Sequence, residues 1–293
     1  MSLHPLPPAL HAASAALLAL LRASPSTLFL SGAGCSTLSG IPDYRSPNRP
    51  PYKPLQHQEF MASPLVRQRY WARSFLGWPR FRAARPNPAH LALSALARAS
   101  LCAQLITQNV DRLHAAAGHA PAPLELHGAL ATATCQGCGA GGQCRDALQA
   151  AMARANAGWL AALGGGPDGG AAARPDGDAE LPAAAVASFT PPACASCGAP
   201  LLKPDVTFHG GTVPEAVVER SLALAGAADA CVVVGSTVAT FSAFRLVRAV
   251  KARGGRVAVV TMGATRADPL ADLKLELEVG AVLGGVAQLH GAA

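Results

Sequence analysis

Charge is scarce in this chain. Asp, Glu, Lys and Arg make up 14% of 293 residues while hydrophobic residues make up 51%, against roughly 25% charged in an average soluble domain. That balance excludes extended disorder and predicts a folded chain, either one large domain or a large and a small one. No run of about 18 apolar residues occurs, which excludes a membrane-spanning helix of ordinary length. The nearest stretch, Leu10 to Leu21, is broken by Ser14 and has no basic residue before it. It therefore lacks the start of a secretory signal and reads as a first helix. Arg22, the one arginine in the first 24 residues, is thin support for an organelle transit peptide. Eight cysteines are too few for a disulfide scaffold of this length, so a soluble, intracellular protein in a reducing compartment is expected. No dense Lys/Arg run exists, and the net charge of +7 (24 basic less 17 acidic) favours acidic small partners such as phosphates without implying nucleic acid. Gly and Pro are abundant, at 29 and 24, but show no Gly-X-Y period, which excludes collagen and assigns them to loops.

What is present is an alternation. β-prone runs at Thr27–Leu30, Leu105–Thr107, Cys231–Val234 and Arg256–Thr261 each stop at small or polar residues. Helical stretches lie between them, near 89–98, 213–224 and 242–251. Buried strands alternating with helices predict an α/β fold, a doubly wound parallel sheet, with ligands collected beyond the carboxyl ends of its strands. Two segments break the rhythm. Residues 131–203 carry cysteine pairs and a Gly/Ala-rich tract, and read as a small inserted module with a flexible loop at about 161–187. Residues 45–88, rich in Pro, Arg and aromatics, read as a helical lid inserted into the larger domain, which spans 1–130 and 204–293.

Cys135-x-x-Cys138 and Cys194-x-x-Cys197 are two knuckles, each followed by glycine. Four thiolates in two such pairs form the closed tetrahedral set of one structural Zn2+. A pair of redox motifs is the competing reading, and Cys144 is a possible fifth ligand, taken here as a spare thiol. Cys35, Cys102 and Cys231 read as small buried hydrophobes. Gly32-Ala33-Gly34-Cys35-Ser36 follows the first strand directly and suggests a nucleotide site. It departs from the dinucleotide fingerprint, since Asp43, Tyr44 and Arg45 follow at once where a third glycine and a distant acid are expected. Charged and stacking groups over a cofactor suit breaking a glycosidic bond better than moving a hydride.

These strings, together with Thr107-Gln108-Asn109-Val110-Asp111, Glu125-Leu126-His127-Gly128 and Leu202-Lys203-Pro204-Asp205-Val206, occur in one order from about Leu10 to Val282. In that order the chain resembles a sirtuin. Arg69-Tyr70-Trp71-Ala72-Arg73, Gly77-Trp78-Pro79, Pro86-Asn87-Pro88-Ala89-His90 and Pro175-Asp176-Gly177-Asp178 resemble the class II branch, which includes a mitochondrial member. The resemblance implies a Rossmann-like domain, a zinc-binding domain and an active cleft between them. It further implies NAD as co-substrate and NAD-dependent removal of acyl groups from lysine in proteins or peptides. The expected protein is a monomer, with neither nucleic acid nor membrane as partner, mitochondrial by resemblance or cytoplasmic if bacterial.

The same resemblance assigns residues. Gly32, Ala33, Gly34 and Ser36 admit the pyrophosphate. Asp43 and Asp111 hydrogen-bond the nicotinamide carboxamide, and Gln108 and Asn109 meet the nicotinamide ribose. Gly235, Ser236 and Thr237 form a phosphate-contacting turn, Thr261 and Gly263 stand near the adenine ribose, and Val279 stands near adenine. Catalysis is assigned to His127 as general base, with Asn109 and Asp111, and the apolar channel for the lysine stem to Val206 and Phe208. His90, His114 and His119 are read as structural. Thr261-Met262-Gly263 replaces an Asn-x-Gly turn, Val279 replaces a cysteine, and His209, Gly210 and Gly211 replace an aromatic and an acid. Mono-ADP-ribosyl transfer shares the expulsion of nicotinamide, and no residue separates it from deacylation. A non-catalytic NAD-sensing module leaves His127 and Asn109 unexplained.

Overall fold

The structure, a computed structural model, describes residues 5–44, 54–163, 181 and 183–291. Arg45 of the proposed site lies outside them, as does most of the Gly/Ala-rich tract. The strands are β1 (Thr27–Ser31), β2 (Gln104–Thr107), β3 (Leu124–Glu125), β4 (Gly128–Cys135), β5 (Gln143–Cys144), β6 (Leu202–Val206), β7 (Ala230–Val234), β8 (Arg256–Val260) and β9 (Leu273–Leu275). The helices are α1 (Pro8–Arg22), α2 (His57–Ala62), α3 (Pro64–Ala83), α4 (Pro88–Arg98), α5 (Leu113–Ala116), α6 (Arg145–Ala155), α7 (Ala157–Ala162), α8 (Ala183–Ala187), α9 (Glu215–Ala227), α10 (Phe241–Ala252) and α11 (Val279–His290). No helix among the described residues is long and apolar enough to cross a membrane.

Two compact units emerge. The first joins residues 1–40, 85–127 and 213–293. Its sheet runs β3-β2-β1-β7-β8-β9 with every pairing parallel, the Rossmann-like doubly wound arrangement. Side chains alternate between its two faces as a pleated strand requires. Phe29, Val232, Val234 and Val260 join α1, α4 and α11 in one core, while Leu28, Leu30, Val233 and Val259 join α9 and α10 in the other. Both faces are therefore covered, which is why β1 and β7 read as unbroken apolar runs rather than as alternating ones. The chain leaves β1 toward β2 on one side and β7 on the other, and this reversal is where ligands of such sheets gather.

The second unit joins 41–84 and 128–212, around an antiparallel sheet in the order β5-β4-β6. Its core is aromatic: Phe60, Tyr70, Trp71, Phe75, Trp159 and Phe189 pack with Met152 and Leu202. Arg145 is almost wholly buried. Its guanidinium lies 4.6 Å from the Trp78 ring and donates to the Ser74 carbonyl at 3.1 Å and Gln149 Oε1 at 2.8 Å, and burial lowers its pKa to about 10. By its packing the 41–84 segment belongs to this unit, whereas the sequence reading attached it to the larger domain as a lid. The reason is that the aromatics of α3 share one core with β4 and β6. The stretch 161–187 also differs from a plain loop where it is described. α7 and α8 flank the undescribed part, and Trp159 Nε1 donates to the Ala185 carbonyl at 2.6 Å.

Asp205 explains part of the 202–206 string. Its two carboxylate oxygens accept from Thr132 Oγ1 and Thr134 Oγ1, each at 2.6 Å, locking β6 to β4. Gly128 opens β4 at φ +78°, and a Cβ there would lie 1.9 Å from the Asp205 carbonyl oxygen. The glycine after His127 is thus required by the backbone on both counts.

Candidate active site and zinc centre

Four strand ends of the first unit, those of β1, β2, β3 and β7, converge. Gly32 and Gly34 follow β1 so closely against the next strand's turn that a Cβ on Gly32 would lie 2.6 Å from Ser236 Cβ, and one on Gly34 would lie 2.9 Å from Gly235 Cα. Gly34 N–H donates to the Gly235 carbonyl at 2.8 Å. In that turn Gly235 has φ +57° and Val238 has φ +43°, the latter a strained value for a β-branched residue. Ser236 Oγ holds the turn, accepting from Val238 N–H at 3.0 Å and from Gln108 Nε2 at 2.8 Å. Residues 32–36 and 235–237 thus offer backbone and hydroxyl groups instead of bulk, which suits a pyrophosphate.

Asn109 and Asp111 follow β2. Asn109 is buried, and its Nδ2 donates to the Gly32 carbonyl and to Ser36 Oγ, both at 3.1 Å. Its amide oxygen is thereby turned the other way. Asp111 accepts from Leu113 N–H at 2.9 Å and from Ser36 Oγ at 2.7 Å. Burial raises its pKa, against the pull of those two donors. Ser36 is consequently the node joining the two residues.

His127 stands after β3. Its Nδ1 lies 3.2 Å from the Gln108 carbonyl oxygen and its Nε2 lies 2.8 Å from Ser242 Oγ. A carbonyl only accepts, so Nδ1 carries the proton and Nε2 presents its lone pair. This is the tautomer that a base requires. Ser242, in the first turn of α10, is absent from the sequence reading, because an isolated serine in a helix start gives no signal until the fold brings it to His127.

Asn87 and His90 close the start of α4. Asn87 caps α4, its Oδ1 accepting from Ala89 N–H at 2.9 Å, while its Nδ2 donates to the Cys35 carbonyl at 2.8 Å and to Ser39 Oγ at 3.0 Å. The helix start is thus tied to the glycine loop. An Asn-Pro pair opening a helix with a side-chain acceptor three residues on is a legible capping signal. The rings of His90 and His114 pack 4.7 Å apart, both buried. Burial lowers His90 to about 4 and holds His114 well below its ordinary range.

Those shifts carry a stability prediction. Between about pH 6.5 and 4 the unfolded chain binds protons at these histidines that the folded chain does not, so stability rises with pH across that window and is lost on acidification. The shift of His90 alone is worth on the order of 3 kcal/mol. Asp268 and Asp272 are held below the usual carboxylate range, so their contributions fade at lower pH. Urea unfolding at pH 7 and pH 5 checks this, and equal stabilities at the two would contradict it.

Thr261 is buried and Met262 exposed, with Gly263 at φ +75°. Val279 is buried in the first turn of α11. In the second unit, Asp43 is half-buried and Tyr44 exposed. Val206 ends β6 and is buried. The half-buried Phe208 packs against the rings of Phe60 at 5.1 Å and Tyr70 at 5.4 Å. His57 N–H donates to the His209 carbonyl at 2.8 Å, and Gln58 Nε2 to the Gly210 carbonyl at 2.9 Å, so the departing 209–211 stretch is tied to the start of α2.

Cys135, Cys138, Cys194 and Cys197 bring their sulfurs within 4.8 Å of one another. Cys135–Cys197 and Cys138–Cys194 are separated by 3.7 and 3.8 Å. A tetrahedral zinc with Zn–S bonds of about 2.3 Å requires S–S edges of about 3.8 Å, so the spacing fits. Backbone N–H groups of Cys138 and Gly137 lower the pKa of Cys135, and those of Cys197 and Ser196 help lower that of Cys194 to about 6. At Cys197 the Ala199 N–H also favours the thiolate, but the neighbouring thiols push it up to about 12. A divalent cation relieves that mutual opposition. Cys144 is exposed and outside the group. Cys35, Cys102 and Cys231 are buried, and burial raises their thiols.

The Sir2 family profile matches residues 32–242. The chain belongs to the Sir2 family. It is 47% identical over 256 residues to the NAD-dependent protein deacetylase 2 of Bradyrhizobium diazoefficiens, covering 87% of this chain and 90% of that one. To the NAD-dependent protein deacylase SRT2 of Arabidopsis thaliana it is 44% identical, covering 87% and 70%. A solved Sir2 complex with a p53 peptide and NAD+ superposes with a TM-score of 0.69 at 26% identity, covering 95% of this chain and 98% of that one. The Sir2 match spans both the converging strand ends and the cysteine cluster.

Proposed function

We propose that this chain is an NAD-dependent protein-lysine deacylase of the class II branch, acting as a monomer on acyl-lysine proteins or peptides. The observation that carries the proposal is His127, just after β3, held by the Gln108 carbonyl as the tautomer whose Nε2 accepts a proton. NAD, the co-substrate, supplies an electrophilic ribose carbon with nicotinamide as leaving group. Residues 32–36 and 235–237 hold its phosphates, and Asn109 offers its amide oxygen to the nicotinamide ribose. Thr261, Gly263 and Val279 receive the adenosine end. In the second unit, Asp43 and Tyr44 keep the cofactor roles read from the sequence, while Val206 and Phe208 line the lysine stem and exclude water from it.

The acyl oxygen of the substrate lysine bonds to the ribose carbon as nicotinamide leaves with its bonding pair. His127 Nε2 then takes the proton of a ribose hydroxyl, whose oxygen adds to the imidate carbon. Addition of water releases the lysine amine and leaves O-acyl-ADP-ribose. Relatives of these names include a bacterial protein, so mitochondrial placement rests on the class II resemblance alone. A panel of acetyl-, propionyl- and longer or acidic acyl-lysine peptides tests the substrate class. The expected result is kcat/KM highest for uncharged acyl groups, since Val206, Phe208 and the rings around Phe208 are apolar. Preference for an acidic acyl group would contradict the proposed channel.

A further inference from the structure

The four cysteines sit in two loops of the second unit that share one backbone pattern. In the first, Cys135 N–H donates to the Ala140 carbonyl at 2.9 Å, Gly139 N–H to the Cys135 carbonyl at 3.0 Å, and Gly137 N–H to Cys135 Sγ at 3.4 Å. The second repeats it, with Cys194 N–H donating to the Ala199 carbonyl at 3.0 Å, Gly198 N–H to the Cys194 carbonyl at 2.9 Å, and Ser196 N–H to Cys194 Sγ at 3.4 Å. Gln143 breaks that symmetry. It belongs to β5 and lies opposite Ala133 of β4, and its half-buried side chain reaches both loops. Nε2 donates to the Ala140 carbonyl at 3.2 Å and to Cys194 Sγ at 3.3 Å, while Oε1 accepts from Ala195 N–H at 3.2 Å. Both amide protons and an oxygen lone pair are thereby engaged, and a flipped amide would set oxygen against carbonyl and sulfur.

We propose that Gln143 is a positioning residue of the metal centre, whose amide clasps the second cysteine loop to the first and donates to Cys194 Sγ, and which thereby governs how fast zinc is released. Four thiolates around one Zn2+ leave a net charge of about −2 on the centre. Each N–H aimed at a sulfur spreads that charge and steadies the ligand. The Gly137 and Ser196 donors come with their own loops and would be present in either loop alone. The three bonds of Gln143 exist only while the two loops lie side by side. Releasing the metal requires one loop to move from the other, and the clasp opposes that movement. The inference rests on the four-cysteine cluster and not on the roles of His127 or Asn109.

Zinc release is followed on the full-length, zinc-loaded chain with an excess of a chromogenic chelator, beside melting temperature. Gln143→Leu keeps the volume and removes all three bonds, and should release zinc about 10- to 100-fold faster than wild type, the usual worth of a residue that holds a metal ligand. Gln143→Glu keeps an acceptor for Ala195 N–H but donates to neither Ala140 nor Cys194. It should also release zinc faster, which separates the bond to sulfur from the tie to backbone. Asn156→Leu controls for folding. Asn156, buried in the same unit, makes a comparable clasp away from the cysteines, with Nδ2 donating to the Met152 and Thr190 carbonyls, each at 2.9 Å, and Oδ1 accepting from Thr190 N–H at 2.7 Å. It should melt lower yet release zinc more slowly than Gln143→Leu. With cobalt(II) loaded in place of zinc, the sulfur-to-metal charge-transfer band should move to lower energy in both Gln143 variants, because a lost hydrogen bond raises the sulfur lone pairs of Cys194. That band can be read on whatever fraction of a poorly folding variant still binds metal. Wild-type release in Gln143→Leu or Gln143→Glu, a charge-transfer band unmoved in both, or release rates that simply follow melting temperature across the three variants, would overturn the proposal. A wild-type chain that takes up no zinc would overturn the metal centre itself, whereas a zinc-loaded wild type beside unaffected Gln143 variants overturns only the role of Gln143.

Discussion

Replacing His127 by Ala should lower net deacylation by roughly two to four orders of magnitude, the usual contribution of a positioned base, while nicotinamide exchange survives in part. The distinction follows from where the residue acts. In the proposed order of steps His127 Nε2 acts once nicotinamide has departed, when a ribose hydroxyl must lose its proton, so expulsion of nicotinamide and its return should not require it. Asn109 differs in that proposal, where its amide meets the ribose before any bond breaks, so Asn109→Ala should lower exchange and deacylation together. The ratio of the two rates thus separates the roles, where a mere loss of activity would not. Ser242 shares a hydrogen bond with His127 Nε2, which the proposed proton transfer would have to displace. Parallel losses of exchange and deacylation in His127→Ala would contradict this order of steps.

The second large effect concerns the metal. Changing Cys135 or Cys197 to Ser should strip the chain of zinc and unfold much of the second unit, since apparent binding energies of structural zinc are on the order of 10 kcal/mol. Cys135 ends β4 and Cys194 is buried in the same aromatic core, so a metal held by them would fasten the sheet to the packing that includes Trp71 and Phe189. Metal content per chain and near-ultraviolet circular dichroism are the measurements. Chelation of the wild type should reproduce the loss. A serine variant that carries no zinc yet keeps its near-ultraviolet signal and activity would show that the cluster is not a structural metal centre.

The sheet was legible where its physics is local. β1, β2, β7 and β8 are buried on both faces over their central residues, so those residues are apolar, and the polar residues beyond their carboxyl ends mark the ligand side. The cysteine knuckles were legible because few other arrangements require two spaced pairs of thiols. β3 and β9, of two and three residues, were not, being too short for any period to register. The packing of 41–84 was hidden for another reason. Tyr70, Trp71, Phe75 and Trp78 read as aromatics on a helix, but the partners they bury against come from 133–202, far along the chain. Ser242 was missed because a long-range side-chain hydrogen bond leaves no pattern in one sequence.

One measurement bears most directly on the central claim, that this chain transfers an acyl group from lysine to the ribose of NAD with His127 as base. The full-length chain is mixed with an acetyl-lysine peptide and NAD labelled in the adenylate, and nicotinamide, free peptide and the labelled product are followed together by mass spectrometry. The expected result is equimolar nicotinamide, deacylated peptide and O-acetyl-ADP-ribose, with no label on protein. Label accumulating on protein, or nicotinamide released at the same rate with unmodified peptide, would contradict it.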